Sequence, residues 1–252
     1  MAGLALLIHG MWGTEAVWTN WRPFLEDRGW KVEAPSLRHH DAPPFEPPAA
    51  LGTTSLNDYV GDLTATIARL PEPPVIIGHS MGGLIALLLC ARGLGRAGVL
   101  LTPAPPSSVF AIRPSNLLAF QRIQMNWGWW RKPHRATTKE SLAYTFNTMN
   151  ATEATSLAES FVHESGRALF EIAFPWLDGT KAARIAPGPV QKPLLLVGAD
   201  RDKLVPPGVV ERTARKVGGD YKLYPNQGHW VLGQPGWQDI ANDVLAWLDA
   251  KL

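Results

Sequence analysis

One short stretch constrains this chain more than any other. Val75, Ile76 and Ile77 make a β-branched apolar run, Gly78-His79-Ser80-Met81-Gly82 follows, and an apolar helical run over 84–91 comes next. The order is strand, sharp turn, helix. A turn this tight strains the backbone at its middle residue. A Cβ at Gly78 or Gly82 would clash, so both must be glycine. The turn holds the Ser80 hydroxyl above a sheet edge, at the start of a helix. The Met81 backbone N–H and the helix dipole then point to where an oxyanion would form. At average glycine and serine usage a random chain of this length carries the five-residue box with probability about 0.1, so the box counts mainly through the strand before it and the helix after it.

The rest of the chain alternates strand and helix signals around that stretch. Residues 1–8 are apolar, as expected for a first strand buried on both faces. Thr14 is placed to cap a helix with Trp18, Trp21 and Leu25 at helical spacing and Gly29 as its stop. A second strand is expected at 30–34, then a Pro-rich surface loop over 35–54 that holds His39, His40 and Asp41. Adjacent histidines point apart on most backbones, so a solvated loop is favoured there over a metal site. Ser55 starts the next helix, with Asp58 in the capping-box place and a stripe of Leu56, Val60, Leu63, Ile67 and Leu70. Further strands are expected at 98–102, 193–198 and 220–224, and a last helix at 237–252.

Between 106 and 189 the period-two signal disappears. Helical patterns are expected at 115–124, 139–149, 151–165 and 166–174, with an aromatic cluster of Trp127, Trp129 and Trp130. We expect an α/β fold: a mostly parallel, doubly wound sheet with an inserted helical cap. The core is 1–105 and 190–252, and the cap is 106–189. Ligands of such sheets bind outside the carboxyl ends of the strands.

Composition narrows the function class. Of 252 residues 46% are hydrophobic and 18% charged, which excludes a disordered chain. The formal net charge is +2 with Lys and Arg scattered, so no basic stripe points to nucleic acid. The single cysteine, Cys90, has no internal disulfide partner and reads as a small buried hydrophobe. No targeting segment and no transmembrane segment is expected, and the expected location is cytoplasmic.

A serine hydroxyl is a poor nucleophile at neutral pH and needs a base. His229, in Gly228-His229-Trp230 after the last strand, is the candidate base. The imidazole needs a carboxylate to fix its tautomer. Asp202 follows the preceding strand and is the candidate acid, with Asp200 as its competitor. His9 and His79 flank the site and are expected to bond into the scaffold. His134 and His163 are expected at the surface or as satisfied core residues.

With these residues in place, the chain resembles the α/β-hydrolase family in its small, cap-bearing serine hydrolase branch. His9-Gly10-Met11 is similar to the family's oxyanion loop and Gly78-His79-Ser80-Met81-Gly82 to its nucleophile elbow. Asp202-Lys203-Leu204-Val205-Pro206 is similar to its acid loop and Gly228-His229 to its histidine loop. The family's acid-x-x-Val-Pro spacing favours Asp202 over Asp200. Residues 36–41 depart from the Gly-rich pattern usual there. The resemblance implies an oxyanion hole from the Met11 and Met81 N–H groups, no metal and no cofactor. It implies a small-molecule acyl substrate cleaved through an acyl-enzyme, a carboxylic ester first of all. Thioesterase, lactonase, C–C hydrolase and hydroxynitrile lyase chemistry use the same groups, and a receptor-like binder with vestigial hydrolysis is the rival from another class. Trp12 and Trp230 adjoin the oxyanion and histidine loops. With Trp127, Trp129 and Trp130 they are expected to wall an apolar pocket for medium-length or aromatic acyl groups.

Overall fold

The apolar runs pair side by side as one sheet. The computed structural model describes residues 3–111 and 114–252, so Met1 and Ala2 of the first run lie outside the described residues. In chain order the strands are β1 (Leu4–Ile8), β2 (Lys31–Glu33), β3 (Val75–His79), β4 (Ala97–Leu101), β5 (Pro133–His134), β6 (Glu164–Ser165), β7 (Leu194–Ala199) and β8 (Asp220–Tyr224). The helices are α1 (Trp21–Glu26), α2 (Leu56–Ile67), α3 (Met81–Ala91), α4 (Pro114–Gln124), α5 (Thr138–Glu140), α6 (Ala151–Ser160), α7 (Gly166–Ala173), α8 (Pro207–Val217) and α9 (Trp237–Lys251). Six strands form the main sheet in the order β2-β1-β3-β4-β7-β8, every pair parallel.

Alternation sorts side chains to the two faces of this sheet. Ala5 and Leu7 of β1 share a cluster with Trp18, Trp21 and, from α9, Ile240, Val244 and Leu248. Leu6 and Ile8 share the other cluster with residues of α2, α3 and α8. Helices therefore cover both faces, as continuous apolar strands require. At the N-terminus of α2 the capping box forms, with the Ser55 hydroxyl accepting from Asn57 and Asp58 N–H and the Asp58 carboxylate accepting from Ser55 N–H. The chain leaves β1 for β2 on one side and returns to β3 on the other. The strand order thus reverses between β1 and β3, and the loops after those two strands open at the switch point.

Several expected elements are cut differently. The helix expected from Thr14 onward splits into a 3₁₀ turn, Glu15–Trp18, capped by the Thr14 hydroxyl, and α1. In a continuous helix the Pro23 ring would strike the Thr19 carbonyl, so the chain restarts with proline in the first turn. The pattern at 139–149 becomes α5 followed by a π turn, Ser141–Thr145. The wide turn delivers the buried Phe146 ring to Trp230, at 5.0 Å between centroids. The α6 helix stops at Ser160, and the Arg135 guanidinium takes the Ala158 and Glu159 carbonyls of its last turn and the Phe161 carbonyl just beyond it. Residues 164–165, expected as helix, instead pair antiparallel with Pro133–His134 as a short ribbon.

The 35–54 loop is only partly solvated. His40 is fully buried and its Nε2 lies 3.0 Å from Glu164 Oε2. The Glu164 carboxylate also accepts from the Tyr59 hydroxyl at 2.8 Å and the Ser165 N–H at 2.6 Å. Burial opposes charge on His40, but the Glu164 carboxylate outweighs it and raises the imidazole pKa. The sequence expectation of a solvated His40 is thus corrected: its partner lies 124 positions away. Among the described residues no group of three or more His, Cys, Asp or Glu is placed to hold a metal ion. No described helix is long and apolar enough to cross a membrane.

Candidate active site

Ser80 sits at φ 55°, ψ −118°, between β3 and α3. Such a conformation costs a non-glycine residue on the order of 1–3 kcal/mol and persists only where its surroundings hold it. They do. Ser80 N–H donates to Leu101 O at 2.9 Å, and Ser80 O accepts from Ala104 N–H at 2.9 Å and Leu84 N–H at 3.2 Å. The two flanking glycines are required by space. A Cβ at Gly78 would lie 2.1 Å from Gly82 O, and one at Gly82 would lie 2.1 Å from Ile8 O.

The loop after β1 comes against this turn because Ile8 pairs with Gly78. His9 fixes the loop from inside. Its Nε2 accepts the Leu37 N–H at 2.9 Å, so the proton is on Nδ1, which donates to Gly10 O at 2.8 Å. Burial, with His40 beside it, lowers the His9 pKa to about 3. Met81 N–H opens α3 and is one of that helix's orphan donors. Among the described residues the Met11 N–H makes no backbone bond. Both methionines line the cavity above Ser80.

His229 and Asp202 meet behind that cavity. His229 Nδ1 lies 2.8 Å from Asp202 Oδ2, with both side chains buried. The other carboxylate oxygen accepts the Leu204 and Val205 N–H groups, each at 2.8 Å. With Nδ1 held by Asp202, Nε2 is the ring nitrogen left to face the cavity. The His229 carbonyl accepts from His79 Nε2–H at 2.9 Å and the Thr102 hydroxyl at 3.1 Å. Burial and the neighbouring His229 lower the His79 pKa to about 3. Asp200 is exposed and accepts the Gln227 N–H at 3.2 Å, which ties the acid and histidine loops together. His134 and His163 bond the backbone carbonyls of Trp129 and Pro44.

Ser80 and His229 line one cavity of about 310 Å³. Its lining holds no Asp, Glu, Lys or Arg among the described residues. Of the five tryptophans singled out in the sequence, the structure brings Trp12 and Trp230 to this cavity and leaves Trp127, Trp129 and Trp130 out of its lining. Trp129 is buried against Phe170 and Phe174, which fills the core instead of the pocket. Trp127 is 86% exposed and meets the edge of Trp130. The aromatic wall among the described residues consists of Phe110, Phe120, Phe161, Phe174 and Trp176 in addition to Trp12 and Trp230. Phe120 follows a legible pattern, one helical turn before the buried Ile123. Phe161 sits just past a helix end, where no periodicity marks it.

A wholly parallel sheet with a strained serine turn at its topological switch point is the α/β-hydrolase fold. The chain belongs to the alpha/beta hydrolase family, whose model matches residues 5–237. No curated protein sequence matches it. Solved structures of the same fold include a methylesterase from Arabidopsis, 13% identical with TM-score 0.71, covering 98% of each chain. A monoacylglycerol lipase from Paleococcus ferrophilus is 18% identical with TM-score 0.72, over 99% of this chain and 95% of that one. A pyrethroid hydrolase from Sphingobium faniae is 18% identical with TM-score 0.70, over 99% and 98%. At these identities the likeness is one of fold.

Proposed function

We propose that the chain is a serine hydrolase that cleaves carboxylic esters. The observation that carries this reading is the convergence of a strained Ser80 and a histidine whose far nitrogen is held by Asp202 on one cavity whose lining holds no Asp, Glu, Lys or Arg among the described residues. Ser80 Oγ attacks the ester carbon while His229 Nε2 takes its proton. The Met11 and Met81 N–H groups hold the oxyanion. The tetrahedral adduct collapses, the C–O bond to the alcohol breaks, and His229 returns the proton to the leaving oxygen. Water then attacks the acyl-enzyme with His229 again as base, releasing the carboxylic acid and restoring Ser80.

In this reading residues 106–189 form a cap over a core of 1–105 and 190–252. The favoured acyl group is neutral and of medium length or aromatic. An apolar wall gains about 0.8 kcal/mol per buried methylene, so kcat/KM rises about fourfold per carbon until the cavity fills. Arg201 and Lys203, the cations beside and within the acid loop, bond Asn226 and the Ala143 carbonyl and are absent from the lining. The proposed location is cytoplasmic; Cys90, buried in α3 with its thiol pKa pushed up to about 12 by desolvation, leaves the compartment unconstrained.

The test is covalent labelling joined to a substrate series. An organophosphate should add one mass to the Ser80 peptide, and Ser80→Ala should lose both label and turnover. Hydrolysis of p-nitrophenyl esters should peak at medium chain length, above acetate. Labelling of another serine, or a preference for acetate, overturns the corresponding part of the reading.

A further inference from the structure

The backbone beside His229 is gripped by a buried side-chain amide that the proposed chemistry does not use. Gln234 is 1% exposed. Its Oε1 accepts the Gly228 N–H at 3.1 Å, and its Nε2 donates to the Gly228 carbonyl at 3.3 Å. Because one backbone group only donates and the other only accepts, the orientation of the amide is fixed. The second acceptor site of Oε1 takes the Thr148 hydroxyl at 2.5 Å. Thr148 comes from the segment between β4 and β7. Its neighbour Asn147 donates to the carbonyl of Arg201, in the loop that carries Asp202, at 3.0 Å. Residues 147 and 148 thus touch both loops that present the acid–histidine pair.

We propose that Gln234, latched by Thr148, is a positioning residue that sets where His229 Nε2 points. This rests on the reading of Ser80 and His229 given above. The loop is held from two sides: the N–H and carbonyl of Gly228 by Gln234, and the His229 carbonyl by His79 and Thr102. The second grip belongs to the sheet. The first depends on the inserted segment, which makes the segment part of the geometry of proton transfer as well as a wall. Gly228 allows the grip, since a Cβ there would lie 2.6 Å from the Thr148 hydroxyl. Displacing a general base by about 1 Å costs on the order of 10²-fold in rate, so a latch of this kind is felt in kcat before KM.

The experiment compares the parent with Thr148→Val, Thr148→Ser, Gln234→Leu and the double variant Thr148→Val/Gln234→Leu. The readouts are kcat, KM, the rate of organophosphate labelling and Tm. Thr148→Val keeps the shape and loses the hydroxyl. It should lower kcat and the labelling rate by about 10-fold at unchanged KM, with Tm moving by only a few degrees. Thr148→Ser restores the hydroxyl and should return both rates to within about twofold of the parent. Gln234→Leu should lower both rates further, and adding Thr148→Val to it should cost nothing more, because the two act through one latch. Parental kcat in Thr148→Val, an equal loss in Thr148→Ser, or additive losses in the double variant each overturns the latch. If these variants keep parental rates while Ser80→Ala is dead, the latch alone is wrong. If Ser80→Ala still turns over, the reading of the site falls and the latch falls with it.

Discussion

The main sheet and the segment between β4 and β7 position their residues by different means. In the sheet, position is a property of backbone. Parallel register sets Ile8 beside Gly78, the tight turn sets Ser80, and the loops after β7 and β8 bring Asp202 to His229. In the inserted segment, position is a property of side chains. Arg135 takes carbonyls at the end of α6, a π turn aims Phe146, and the His40–Glu164 contact ties the β5–β6 ribbon to the loop after β2. In the proposed reading the difference divides the labour: the sheet carries the reacting groups, and the segment shapes what reaches them and latches the histidine loop.

The sharpest test of the sheet half is the pair of aspartates. Asp202→Asn should lower kcat by about 10⁴-fold, since an amide at Oδ2 favours the wrong imidazole tautomer. Asp200→Asn should change kcat by less than about 10-fold, because an exposed acceptor for the Gln227 N–H is retained. Steady-state kinetics of both variants decide it, and the reverse ranking would move the acid to Asp200.

A smaller effect tests the segment half. Phe120 lines the cavity and stacks on Trp12 at 5.9 Å between centroids. Phe120→Ala enlarges the cavity and should move the preferred acyl chain to greater length, with kcat/KM for the parent's best ester falling about 10-fold. Trp127→Ala, at an exposed ring outside the lining, should leave the chain-length profile unchanged and stability within about 0.5 kcal/mol. A shifted profile in Trp127→Ala, with none in Phe120→Ala, would relocate the pocket.

The smallest effect concerns the tie between segment and sheet. Burial works against charge on His40, Glu164 outweighs it, and the folded pKa lies above the unfolded value of about 6.5. A raised pKa stabilises the fold fully below the unfolded value and loses that contribution as pH rises through the folded one. The Tm gap between the parent and Glu164→Gln should therefore be widest at and below about pH 6.5 and narrow at higher pH. Thermal melts across pH measure this, and a gap independent of pH would show that His40 carries no charge in the fold.

How much was legible follows the same division. Sequence alone determined the strand–turn–helix at Ser80, the capping box at Ser55, the β8 strand at 220–224 and the order of the four loops that resemble the family's motifs. The first three rest on local rules: glycine where a Cβ cannot fit, a hydroxyl where a helix leaves N–H groups free, and polar–apolar alternation along a half-exposed strand; the loop order rests on the resemblance to the family. Only the tertiary structure decided that Trp129 fills core while Phe161 lines the cavity, that His40 turns inward to Glu164, and that Gln234 reaches the peptide before His229. These depend on which distant residue stands opposite. A side chain in a segment without periodicity has the same local signature whichever way it faces, and packing chooses the direction.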